Sequence, residues 1–410
     1  MKLAVLCPHF APDTAPTGEV ITRIVTELAA RGHELHVVTA LPWYRHHAIE
    51  PGWGGKLVRT ERTHWGSIRR VHPFPTDKRS IVQRAAAFGA FSALAGLTGL
   101  RGGKVDGVLA MSPPLTLGLT GWGMARLRRG PLVFNIQDVF PDVAVELGAI
   151  TNRRIIAVAR WLERTSYKRA DAVTILSDDL RANLAAKLPA RHHDKLRVIP
   201  NFVDTELIIP RDRMTDYRRE LGLGDRTVVL YAGNVGLSQS LELVIEAARR
   251  LAHRDDVVFL INGGGSGRPT FEAMAEGLDN VRFGDFQPKE RLAEVLATGD
   301  IHVVPLKKGL AASSVPSKTY SILAAGRPLL ASIDPGTEVE RVVAAARCGT
   351  CVPPDDAEAF VAALTSMLDD RAGRAQMGAA GRSWVEQWAS PAAVAEAYEA
   401  LFEELRRASA

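Results

Sequence analysis

Cysteine is scarce: Cys7, Cys348 and Cys351 are the only three in 410 residues. Three thiols cannot staple a disulfide framework, which points to a reducing compartment. The C-x-x-C spacing of Cys348 and Cys351 lacks the second pair that a four-ligand zinc site needs, so no metal or redox role is expected there. Long apolar runs are also missing. No stretch of about 20 uninterrupted apolar residues occurs, so no membrane-spanning helix is expected. The chain opens directly on an apolar run at 2–6, with no basic segment, apolar core and cleavage site before it; this predicts no secretory leader and a cytoplasmic protein. One-sided charge is absent too: 51 Lys+Arg stand against 46 Asp+Glu, a net +5. No recognition motif accompanies that small excess, so no nucleic-acid partner is expected. What remains is an ordinary globular balance, 46% hydrophobic and 24% charged, with material for two cores.

Strand-like apolar runs at 3–6, 34–39, 107–111, 131–136 and 172–177 alternate with amphipathic stretches such as 20–31 and 155–169. Buried parallel strands joined by crossover helices have this pattern. The pattern restarts with runs at 228–232, 257–261, 281–284, 301–305 and 329–331, separated by helical stretches at 241–252, 288–297 and 318–325. Two such series predict an α/β chain of two Rossmann-like domains, 1–200 and 205–388, with the helix at 391–410 crossing back onto the first.

The chemistry-bearing segments lie where these strands end. In order they are Pro12-Asp13 with Gly18; Arg31-Gly32-His33; Gln137-Asp138-Val139-Phe140-Pro141-Asp142; Ile199-Pro200-Asn201-Phe202-Val203-Asp204; Tyr231-Ala232-Gly233-Asn234-Val235-Gly236; Asn262-Gly263-Gly264-Gly265; and Val315-Pro316-Ser317-Lys318 followed by Ala324-Ala325-Gly326-Arg327-Pro328. In this order the set resembles the GT-B nucleotide-sugar glycosyltransferases of family 4 (group 1), in particular the branch that builds bacterial surface polysaccharides such as colanic acid.

The resemblance implies two domains facing across a cleft, an acceptor bound by the first and a nucleotide-sugar donor by the second. It places Gly18, Gln137 and Asp138 at the acceptor. Gly18 follows strand one, where free backbone amides suit a polar group; an ordinary βα turn is the other reading. Asp138 follows a parallel strand, and it either orients or deprotonates an acceptor hydroxyl or braces the loop. The resemblance places Gly233, Asn234, Gly236, Gly263, Gly264, Val315, Pro316, Ser317, Lys318 and Ser321 at the donor. Many relatives carry Arg at the position of Asn234 and Lys at that of Ser240, and a glutamate pair where this chain has Ser313 and Ser321. With those charges gone, Lys318 at the start of a helix is the expected cation for the diphosphate.

The resemblance further implies transfer with retention of anomeric configuration, the departing phosphate helping to take the acceptor proton. Asp138 and Lys318 are then the catalytic candidates, and no metal or cofactor is implied. A nucleotide-sugar epimerase on the same fold and a non-catalytic sugar-binding relative are the competing readings. Around the apolar segment 85–100 sit Lys56, Arg59, Arg62, Arg69, Arg70, Lys78, Arg79 and Arg84, with Trp43, Tyr44, Trp53, Trp65 and Phe74 nearby. That region is either a contact with anionic lipid at the inner face of the plasma membrane, where a lipid-linked acceptor would reside, or a buried helix beside a solvated basic loop.

Overall fold

The computed structural model describes residues 1–44, 48–75, 81–142, 145, 150–236, 239–309 and 318–409. They divide into two compact units, Met1–Asn201 with Pro391–Ala410, and Phe202–Ser390.

The first unit holds strands β1 (Lys2–Leu6), β2 (Glu34–Ala40), β3 (Val58–Thr63), β4 (Gly66–Val71), β5 (Gly107–Ser112), β6 (Leu132–Ile136), β7 (Ala172–Ile175) and β8 (Leu196–Val198). Its helices are α1 (Pro16–Ala30), α2 (Ile81–Gly99), α3 (Thr116–Arg128), α4 (Arg153–Arg169) and α5 (Asp178–Lys187). The strands form one sheet in the order β3-β4-β2-β1-β5-β6-β7-β8. Every neighbouring pair is parallel except β3 with β4. Because helices cover the sheet, β5 and β6 are buried at every residue, which is why they read as unbroken apolar runs.

α2, α3 and α4 pack side by side through small residues. Ser92 Oγ lies 2.6 Å from Thr116 Oγ1, and a Cβ added to Gly118 would come within 2.6 Å of Ser166 Cβ. The last helix of the chain packs against α1. Its Tyr398 hydroxyl accepts a bond from Asn135 Nδ2 at 2.9 Å and lies 3.2 Å from Thr174 Oγ1, so the helix is tied to β6 and β7 by buried polar contacts.

The basic apolar region resolves into two parts. Arg70 is only 1% exposed; it pairs with Glu61 at 2.8 Å and donates to the carbonyl of Ala11 at 2.6 Å. Arg69 donates to the carbonyls of Thr98 and Arg101. These two arginines hold the β3–β4 hairpin to its neighbours and are not lipid-facing cations, a correction to the sequence-based expectation. Phe91 and Ala95 bury the inner side of α2 in the core. Lys78 and Arg79 lie outside the described residues.

The second unit holds β9 (Thr227–Ala232), β10 (Val257–Asn262), β11 (Val281–Gly284), β12 (Ile301–Pro305), β13 (Leu329–Ser332) and β14 (Gly349–Val352). They form an all-parallel sheet in the order β11-β10-β9-β12-β13-β14. Its helices are α6 (Asp216–Glu220), α7 (Leu241–Arg250), α8 (Arg268–Met274), α9 (Leu292–Thr298), α10 (Lys318–Ala324), α11 (Glu338–Ala346), α12 (Ala357–Asp369) and α13 (Arg371–Trp388); α14 (Pro391–Ser409) is the helix returned to the first unit. Cys348 is buried just before β14 and Cys351 lies within it, all three thiols are free, and burial pushes both of these up to about 12.

Candidate functional site

In open parallel sheets ligands gather at the carboxyl ends of the strands, so the site is built from the loops that leave those ends. In the second unit the loops after β9 and β10 lock together. Gly233 N–H donates to the carbonyl of Asn262 and Val235 N–H to that of Gly264, each at 2.9 Å. Gly233 has φ 143° and Gly263 φ 137°. Both values lie in a region that side chains rarely adopt, and a Cβ on Gly263 would run into the Gly233 carbonyl. The glycines therefore let two loops close on one another, and they leave a bare backbone ledge at the strand ends. Asn234 is exposed on that ledge and Gly236 is buried.

Lys318, the first residue of α10, reaches this ledge. A Cβ on Gly233 would lie 3.3 Å from Lys318 Nζ. The ammonium donates to Tyr231 Oη at 2.9 Å and sits 4.1 Å from the centroid of that ring. Tyr231 Oη in turn donates to the Asn234 carbonyl at 2.6 Å. No carboxylate among the described residues pairs with it, and its partial burial drops the Lys318 pKa from 10.5 to about 8. A ring face and one hydroxyl are poor compensation for lost hydration.

The other cations expected near the diphosphate are absent. Ser240 is buried and its hydroxyl donates to Asp355. Arg327 donates to the carbonyls of Arg211 and Ala297, both at 2.8 Å, so it braces loops. Ser321 lies one turn beyond Lys318 on α10 and is half-buried. Val315, Pro316 and Ser317, and Ser313 with them, lie outside the described residues. Sequence reasoning missed two aromatic residues here. Tyr231 reads as an apolar strand residue, yet it carries the Lys318 contact. Phe286 is exposed, and its ring would lie 3.5 Å from a Cβ on Gly264.

In the first unit Gln137 and Asp138 leave β6 with different roles. The Gln137 amide is spoken for on both sides, donating to Asn135 Oδ1 at 2.7 Å and accepting from Asn201 Nδ2 at 3.0 Å. The Asp138 carboxylate has no hydrogen bond or ion pair among the described residues, and the protein mass around it raises its pKa. A carboxylate without a capping partner is available to a ligand. Gly18 sits in the first turn of α1, where a Cβ would come 2.9 Å from that of His9. His9 itself, with Asp13, Trp43 and Tyr44, forms a cluster that no spacing in the sequence announced.

Residues 17–207 match the family model Glycosyltransferase Family 4, and residues 213–384 match Glycosyl transferases group 1. The colanic acid biosynthesis glycosyl transferase WcaI of Escherichia coli (strain K12) is 29% identical over 385 residues, 90% of this chain and 92% of its own length. The D-inositol 3-phosphate glycosyltransferase of Corynebacterium glutamicum (strain R) is 27% identical over 96% of this chain and 95% of its own. Among solved structures, sucrose-phosphate synthase from Thermosynechococcus elongatus superposes with a TM-score of 0.70 at 20% identity, covering all of both chains. Anabaena HepE in complex with UDP gives 0.65 at 14% identity, over 99% of this chain and all of that one. These likenesses show a shared GT-B fold.

The Lys318 geometry has a measurable cost. A lysine pKa lowered in the folded state means that the unfolded chain binds more protons between about pH 8 and 10.5, so folding carries the full penalty below about pH 8. That penalty is on the order of 3 kcal/mol. Lys318→Met should therefore raise the melting temperature of the unliganded protein at pH 7, with the gain fading towards pH 10.5. A variant that melts lower at pH 7 would make the ammonium a structural group.

Proposed function

Since the chain belongs to the glycosyltransferases of family 4 and group 1, we propose that it moves a sugar from a nucleotide-diphosphate sugar onto a sugar or lipid-linked acceptor. The second unit holds the donor and the first the acceptor. The observation that carries the donor half is the half-buried Lys318 ammonium, with no carboxylate partner among the described residues, over the glycine ledge of β9 and β10. A diphosphate supplies the missing countercharge, and bare backbone at Gly233 and Gly263 allows its close approach. The exposed Phe286 beside Gly264 offers a ring face to the nucleoside base. The structure of HepE in complex with UDP supports the same donor class.

In this reading Lys318 acts on the leaving group. Charge builds on the diphosphate as the glycosidic bond breaks, and an ammonium already held in place by Tyr231 stabilises that charge with little reorganisation. The configuration at the anomeric carbon is retained, with the departing phosphate accepting the acceptor proton. Asp138 orients the acceptor hydroxyl. The WcaI relative, named for colanic acid biosynthesis, supports a place in cell-surface polysaccharide assembly.

Calorimetry with UDP and GDP, compared with uridine and guanosine, tests the donor half. A charge-assisted phosphate bond contributes about 1.5–3 kcal/mol. Lys318→Ala should weaken diphosphate binding by about tenfold or more and leave nucleoside binding unchanged. Equal losses for both ligands, or none, would remove Lys318 from the phosphates. Asp138→Asn should lower turnover while donor affinity holds; unchanged turnover would make it a loop residue.

A lipid-linked acceptor also needs a surface that meets lipid, and the outer side of α2, α3 and α4 has the right chemistry. Leu97, Leu127, Val158 and Trp161 are 69%, 69%, 63% and 61% exposed there. Arg126, Arg129, Arg153, Arg154, Arg160 and Arg164 are exposed alongside. α2 and α3 contain no acidic residue, and the single acid of α4, Glu163, is buried against Lys187. Apolar side chains in a field of one sign suit an anionic bilayer. None of the helices is long and apolar enough to cross a membrane among the described residues, so the contact is peripheral. The protein should co-sediment with phosphatidylglycerol vesicles, less so as salt rises, and Leu97→Glu with Trp161→Glu should abolish it. No sedimentation at low salt would reject this surface.

A further inference from the structure

We propose that His9, held by Asp13, recognises a hydroxyl of a saccharide acceptor through Nε2, an assignment that rests on the acceptor role of the first unit given above. The argument begins with Asp13. Its side chain is 1% exposed, Oδ2 lies 2.7 Å from His9 Nδ1, and Oδ1 accepts the backbone N–H of Tyr44 at 3.1 Å. An ionised carboxylate only accepts hydrogen bonds, so Nδ1 carries the proton. In the neutral ring the lone pair is then left on Nε2. Nε2 has no hydrogen-bond partner among the described residues, and the His9 side chain keeps 12% exposure.

The ring is fixed in place as well as in tautomer. Trp43 stacks on it with centroids 5.6 Å apart and planes at 22°, and Tyr44 meets it nearly edge-on at 5.4 Å and 80°. Arg70, pinned by Glu61, clamps the carbonyls of Phe10 and Ala11 directly after it. Gly18 completes the nest, since any Cβ there would press on His9. This gives Gly18 a role: it lets the His9 Cβ and backbone lie against the first turn of α1. A histidine whose only duty is to fill space needs no buried carboxylate to choose its tautomer. One pre-set to present a lone pair is built to accept a proton-bearing group, which is how a site pre-organises a ligand.

The ligand class follows from the lone pair. Hydroxyl groups donate to it; an unprotonated phosphate oxygen, which only accepts, is repelled by it. The exposed Tyr44 adds an aromatic ring beside the imidazole, suited to the apolar face of a sugar. His9 follows β1 and Asp138 follows β6, with β5 between them in the sheet. At about 4.8 Å per strand, the two groups leave the sheet edge about 10 Å apart and grip different parts of one acceptor.

Asp13→Asn provides the test because it changes one proton. The Asn carbonyl keeps the Tyr44 N–H, and its NH2 donates to Nδ1, which moves the ring proton to Nε2. The full chain, labelled with 15N-histidine, is titrated with methyl hexopyranosides and separately with inorganic phosphate. The parent should show a proton on His9 Nδ1 and a shift of Nε2 with the hexosides. Asp13→Asn should show the proton on Nε2 and weaken hexoside binding about tenfold or more, while UDP affinity measured by calorimetry stays within about twofold. His9→Gln, which keeps an accepting oxygen, should bind hexosides better than His9→Ala. A response of Nε2 to phosphate and not to hexosides, or equal hexoside binding in parent and Asp13→Asn, would overturn the assignment. Loss of UDP binding by the parent would instead fault the donor reading and leave the imidazole result to stand by itself.

Discussion

A half-buried ammonium with no carboxylate partner among the described residues is the constraint on which the loops of the second unit converge. Lys318 is positioned by α10, faces the ring of Tyr231, and overhangs two glycine loops that close on each other only because Gly233 and Gly263 lack side chains. Each part is unfavourable or indifferent by itself. Burial of an unpaired cation costs free energy, and glycine in a loop costs chain entropy. Together they make a place that an anion relieves. Neither Asn234 nor Ser240 carries a charge.

The first unit applies the same logic with the opposite charge. Asp13 is buried, but both of its oxygens are used, one by His9 and one by the Tyr44 backbone, so its cost is offset and its field is spent on setting one tautomer. Asp138 is the unspent carboxylate, without a partner among the described residues. In the proposed reading the two units divide the work of a transferase: one offers a cation to a leaving group, the other offers acceptors to hydroxyls.

The sheets were legible in the sequence because their strands are buried on both faces. Runs such as 107–111 and 257–261 carry no alternation to confuse, and helices of helical period separate them. The β3–β4 hairpin was not legible. Val58–Thr63 and Gly66–Val71 are rich in Arg, and their stability comes from Glu61, backbone carbonyls and the Trp53 ring, none of which a local pattern reveals. Lys318 could be named from the sequence through its motif; its partner Tyr231, 87 positions earlier, could not. His9 and Asp13 stand four residues apart in a loop, where that spacing has no fixed geometry, so only the folded chain shows the pair. Gln137 was named as a ligand contact, yet its amide is already held by Asn135 and Asn201 through a contact 64 residues distant.

The central claim is that the Lys318 ammonium is held unpaired for a diphosphate, and proton uptake measures it most directly. With a free-state pKa of about 8, roughly half of the free protein lacks the proton at pH 8, and diphosphate binding must draw it in. UDP binding followed by calorimetry at pH 8, in buffers of different ionisation enthalpy, should show uptake of about half a proton, vanishing in Lys318→Met. Diphosphate binding without uptake at pH 8, or uptake that survives in Lys318→Met, would contradict the account.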